Sequence, residues 1–204
     1  MTLKFDLKSI VLILFIMSIY IYKYPMINHI TNQGVTSEVD LNELLMTIMG
    51  LFILLSILPV FDKNKVLIKR INAYNDIVFS VILILATPFL LILIRSTGTH
   101  INPQRFFGLI IAVAFIIMSN YLPKLSMNTI AGIRTPWSMT SEAVWKKTHH
   151  ISGIIGVILG AILFVIHALV ANKELLSMTI YVIVGWLVLT VVISYFVCRH
   201  TSSK

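Results

Sequence analysis

The 204-residue chain is 58% apolar and 12% charged, with a net charge of +8. That charged fraction is about half of what a soluble domain carries, which excludes an ordinary soluble fold. One cysteine, Cys198, excludes an internal disulfide.

The chain reads as a single all-α membrane domain, residues 1–204. Six transmembrane helices are expected over 9–24, 44–61, 77–94, 106–122, 151–171 and 175–198. A span needs roughly 20 apolar residues. The first is short and spans if Lys8 and Lys23 snorkel while Tyr20, Tyr22 and Tyr24 sit in the interface. No small-residue cleavage site follows, so it reads as an uncleaved anchor. Residues 23–43 read as the longest outer loop. It holds the acids Glu38, Asp40 and Glu43, which a cationic partner arriving from outside would meet first.

Pro59 lies where the second span stops. Residues 62–76 read as a basic, partly helical loop on the anionic inner leaflet. Thr87 and Pro88 predict a kink in the third span, with Thr87 helping to satisfy the backbone. Asn120, near the inner end of the fourth span, either bonds a neighbouring helix or faces headgroups. Alternating sides from an inner N-terminus put Lys4, Lys8, Lys63, Lys65, Lys69, Arg70, Lys124, Arg134, Lys146, Lys147, Arg199 and Lys204 inside. These are 12 of the 16 basic residues. The positive-inside rule then makes both termini cytoplasmic and explains the net charge without direct binding of nucleic acid.

Residues 124–150 read as the cytoplasmic functional loop. Arg134 offers a guanidinium that can clamp a carboxylate or phosphate. Residues 141–171 read as one helix rising from the surface into the bilayer, capped by Thr140 or Ser141. Glu142 suits the first-turn dipole and the i,i+4 pair with Lys146. At about 100° per residue, Glu142, Trp145, His149, Gly153, Gly156, Gly160 and His167 share one stripe. The three glycines allow close approach of a neighbouring helix. Trp145, four residues back, is within reach of His149. Trp137 and Trp145 suit the headgroup level and also suit a protein-binding hot spot.

Catalytic signals are weak. His149 and His150 point about 100° apart on a helix and cannot chelate one metal together, so neither metal nor cofactor is expected. There is no nucleophile elbow and no carboxylate pair inside a span. His167 is the sole ionisable side chain within a span, expected to be neutral and bonded to backbone or reaching the interface. Without intramembrane acids to couple ion flow, a transporter is weakly supported.

At Asn120-Tyr121-Leu122-Pro123-Lys124, Gly132-Ile133-Arg134-Thr135-Pro136-Trp137, Ser141-Glu142, Val144-Trp145, Lys147-Thr148-His149 and Gly153 the chain resembles the SdpI family of bacterial membrane immunity proteins. Residues 59–74 look like that family's basic loop. Pro25, His29 and Gly34 keep part of a Pro-, His- and Gly-containing motif of its first outer loop. The resemblance implies a six-span protein of the cell membrane that protects against a membrane-active peptide toxin. In some relatives it also implies signalling, through a transcriptional repressor held at the membrane. It points to Arg134, Thr135, Pro136, Trp137, Glu142, Trp145, Lys147, Thr148 and His149 as the partner-binding segment. The rival readings are a membrane enzyme acting on lipid or peptide with His149 or His150 as base, and a small transporter.

Overall fold

The computed structural model describes residues 7–32, 41–63, 65–69, 71–95, 97–170 and 174–202. Among these all regular structure is helical: α1 Leu7–Asn32, α2 Leu41–Ile57, α3 Val66–Lys69, α4 Ile71–Arg95, α5 Pro103–Tyr121, α6 Glu142–Leu169 and α7 Leu175–Ser202. One-turn 3₁₀ segments, Leu58–Phe61 and Leu122–Lys124, follow α2 and α5. Both contain a proline, which fits the first turn of a helix but cannot continue one.

Among the described residues five helices are long and apolar enough to cross a membrane: Asn42–Phe61, Ile71–Ile92, Pro103–Lys124, Glu142–Leu169 and Leu175–Thr201. The sixth expected span falls on α1, where Leu7–Ser18 is a shorter apolar stretch among the described residues. Residues 23–32, expected as loop, continue α1 through Pro25. A membrane helix tolerates one proline because only one intrahelical donor is lost. Gly34, Glu38 and Asp40 of the expected outer loop lie outside the described residues.

Local chemistry sets the helix starts. Asn102 caps α5 by accepting the Arg105 N–H at 3.2 Å, with Pro103 next. Ser141, rather than Thr140, caps α6: its hydroxyl accepts the Val144 N–H at 3.3 Å. The Thr140 hydroxyl instead donates to the Trp137 carbonyl. α4 runs unbroken through Pro88. The Thr87 hydroxyl donates to the Leu83 carbonyl at 2.9 Å. The carbonyl that Pro88 leaves without its usual donor is that of Ile84, so Thr87 does not compensate for the proline directly.

The helices pack in sequence. α1 and α2 lie on α4, α4 on α5, α5 on α6 and α6 on α7, with α5 also reaching α7. The α5–α6 register can be followed residue by residue. Gly108 lies against His167, Ile116 against Gly160, Ser119 against Gly156, and Pro123 against Gly153. The partners run in opposite order, so the pair is antiparallel. One apolar core joins Ile48 of α2, Tyr74, Val78 and Ile82 of α4, Phe115 of α5, Trp145 of α6 and Trp186 of α7. Ile154, Ile158 and Ile162 on α6, and Val184, Val188 and Val192 on α7, are exposed at four-residue spacing. Such outward apolar rows suit acyl chains, with every backbone group satisfied inside its own helix.

Candidate functional site

Residues 125–141 form the longest described non-helical segment, and it is docked rather than loose. Three places hold it, each by side-chain hydrogen bonds from a different part of the bundle.

The first is the start of α6. Trp145 is fully buried, and its indole N–H donates to the Leu125 carbonyl at 2.9 Å. His149, also fully buried, stacks on Trp145 with ring centroids 4.0 Å apart. The Ile133 N–H donates to His149 Nε2 at 2.9 Å. That nitrogen must therefore carry the lone pair, which puts the proton on Nδ1, donated to the Trp145 carbonyl at 2.9 Å. Both ring nitrogens of a neutral imidazole are thus committed. Gly132 permits this contact in two ways. Its φ is +110°, and a Cβ there would lie 2.6 Å from His149 Nε2.

The second is the end of α7. The Thr135 hydroxyl donates to Ser194 Oγ at 2.7 Å. Thr135 and Ser138 exchange bonds: the Thr135 N–H donates to Ser138 Oγ at 2.9 Å, and the Ser138 N–H to Thr135 Oγ1 at 3.0 Å. Trp137 packs edge-on against Tyr195 with centroids 5.4 Å apart. This contact with α7 had no sequence signal, because Ser194 and Tyr195 look like ordinary span residues.

The third is Asp62, which sequence reasoning missed. It is 2% exposed. Its Oδ2 accepts the Val66 and Leu67 N–H groups at 2.8 and 3.2 Å, capping α3. Its Oδ1 accepts the Thr129 N–H and hydroxyl at 3.0 and 2.8 Å. Burial opposes its ionisation, but the bonds from Thr129, Leu67 and Val66 outweigh it and hold the carboxyl below the usual carboxylate range. Asn128 folds the loop on itself. Its amide donates to the Ser126 and Ala131 carbonyls, and its oxygen accepts the Ile130 and Ala131 N–H groups.

The expected site residues divide into two sets. Trp145, His149 and Thr135 are buried and support the docked loop through their hydrogen bonds, while Thr148 is buried with no hydrogen-bond partner for its hydroxyl among the described residues. Arg134, Pro136, Glu142 and Lys147 are exposed, and Trp137 is half-exposed at 36%. The Glu142–Lys146 pair forms at 3.5 Å with both side chains exposed, so it adds at most a few tenths of a kcal/mol. Asn120 is exposed. The glycine stripe packs on α5. A Cβ on Gly153 would meet the Ser119 carbonyl at 2.7 Å, and one on Gly160 would meet Ile116 at 2.6 Å. At the residue before Gly153, the Ser152 carbonyl accepts the Trp186 indole N–H at 3.0 Å. Far from the loop, His167 is buried over Gly108 and bonded to Thr179 of α7 at 2.7 Å, rather than to backbone.

These features define a multi-pass helical membrane protein whose polar side chains converge on one docked loop. Residues 124–198, which begin at that loop, match the family described as the SdpI/YfhL protein family. Over 134 residues the chain is 29% identical to the Immunity protein SdpI of Bacillus subtilis (strain 168). The match covers 66% of this chain and 61% of that relative's length. No solved structure matches. The C-terminal part of the chain is thus similar to the SdpI/YfhL family, within a multi-pass bacterial membrane protein.

Proposed function

We propose that the chain is an immunity protein, protecting its cell against a membrane-active peptide by binding it. The observation that carries this reading is the similarity to the Immunity protein SdpI, joined to a family match that begins at the docked loop. Arg134, Pro136, Trp137, Glu142 and Lys147 supply the contact surface, while Thr135, Trp145 and His149 hold it in shape. Gly153, Gly156 and Gly160 set the helix spacing beneath it. An aromatic and a guanidinium on a rigid base are the residue types that dominate binding hot spots. Binding is favoured over turnover because His149, a candidate base, spends both nitrogens on backbone partners. The positive-inside pattern assigns this end of the bundle to the cytoplasm. Its exposed Lys63, Lys124, Arg134, Lys147 and Arg199 suit retention of a cytoplasmic repressor protein as a second role.

Expression of the chain in Bacillus subtilis lacking its Immunity protein SdpI, grown beside wild-type cells, tests the reading. Survival supports it. Killing at normal membrane levels of the chain counts against it.

A further inference from the structure

We propose that Asp62 is a positioning residue for the docked loop. Through Thr129 it sets the loop shape on which protection depends, although it lies outside the family-matched segment. The inference rests on the protective role proposed above.

The two oxygens of Asp62 do separate work. Capping α3 needs only Oδ2, which takes the Val66 and Leu67 N–H groups. Oδ1 is devoted to Thr129, 67 residues away in sequence. The Thr129 hydroxyl also accepts the Lys63 N–H at 3.2 Å, closing a small ring of bonds around the carboxylate. Among the described residues, the donors to Asp62 are neutral backbone or hydroxyl groups. A buried carboxylate is stable only when such donors surround it, so the geometry on both sides is tightly specified.

Met127, Ile130 and Ala131 pack the middle of the loop against the apolar core, which is non-directional, so hydrogen bonds must set its exact shape. Leu125 is held by Trp145 and Ile133 by His149. Between them, the bonds of Asn128 are internal to the loop. Among the described residues, the hydrogen-bonded ties from 126–131 to the rest of the bundle run to Asp62 and Lys63. Release of Thr129 therefore frees the middle of the loop, while the apolar contacts of α5, α6 and α7 stay as they are. A plain helix cap has no such effect at a distance.

The test uses the full chain in detergent micelles. Thr129→Val removes the hydroxyl and keeps the α3 cap. Asp62→Asn replaces one acceptor oxygen by a donor, which opposes either Thr129 or α3. Thr129→Ser restores the hydroxyl. The readouts are trypsin cleavage after Lys124 and Arg134, the thermal midpoint, and survival of the SdpI-deleted strain beside wild-type cells. Thr129→Val and Asp62→Asn are expected to speed cleavage on the order of tenfold, the factor that loss of one charge-assisted hydrogen bond gives a local opening. Both should lose protection, and Thr129→Ser should behave as wild type. Unchanged cleavage in the first two overturns the inference. Failure of Thr129→Val to fold also overturns it, because Asp62 would then serve the bundle rather than the loop. Fast cleavage with full protection leaves the tie in place and overturns the protective role given to the loop.

Discussion

Gly153→Ala is the smallest change that should separate the helices beneath the loop. A Cβ at this position would lie 2.7 Å from the Ser119 carbonyl oxygen and 2.9 Å from Cγ and Cδ of Pro123. Neither neighbour can rotate away, since one is backbone and the other a closed ring. α5 and α6 must therefore part by several tenths of an ångström. Overpacking of this kind costs about 1–3 kcal/mol. Against it stands the gain of about 1 kcal/mol from alanine's better helix propensity. Gly185→Ala isolates the second term, because a Cβ there meets nothing within 4 Å. The thermal midpoint of Gly153→Ala is expected to fall below wild type, while that of Gly185→Ala stays level or rises. His149 lies one turn from Gly153, so the displacement reaches the loop and protection should weaken with it. A Gly153→Ala midpoint equal to that of Gly185→Ala would refute the close-packed register.

Three further outcomes are expected. Trp145→Ala removes a buried indole and its bond to Leu125, so it should lose about 3–5 kcal/mol of stability in a melt, and protection with it. The carboxyl of Asp62 titrates below its ordinary value of 3.8 in the folded protein, so its contribution to stability is present above that value and is lost as pH falls through the lower folded pKa. The difference in midpoint between wild type and Asp62→Asn should be constant near neutrality and shrink below about pH 4; a difference independent of pH down to that range counts against the buried carboxylate. Reporter fusions active only outside the membrane should be silent at both ends of the chain; activity at the C-terminus contradicts the six-span arrangement with cytoplasmic termini.

What could be read from sequence was what lies within one helix. The stripe of Gly153, Gly156 and Gly160 follows from 100° per residue, and the structure places all three against α5. The His149–Trp145 contact follows from local spacing in the same way, and so does a cap at Thr140 or Ser141, of which the structure takes Ser141. The opposing residues were not legible. Nothing in the periodicity of α5 singles out Gly108, Ile116 or Ser119 as partners of α6. Burial of Trp145 and His149 was also hidden, because polar residues near the end of a span read as surface until a loop is folded over them. Asp62 was missed: its bonds to the Val66 and Leu67 N–H groups cap a helix of only four residues, and its bond to Thr129 depends on tertiary approach. Residues 23–32 read as the start of the outer loop, yet α1 continues to Asn32.

The central claim is that the exposed edge of the docked loop makes the protective contact. The direct measurement is survival of SdpI-deleted Bacillus subtilis beside wild-type cells, with the chain supplied as wild type or as Arg134→Ala/Trp137→Ala. Both side chains reach solvent, so the double variant should reach the membrane at wild-type levels. Survival is expected with the wild-type chain, and killing with the double variant at wild-type membrane levels, its thermal midpoint lowered only by loss of the Trp137–Tyr195 contact. Equal survival of the two would contradict it.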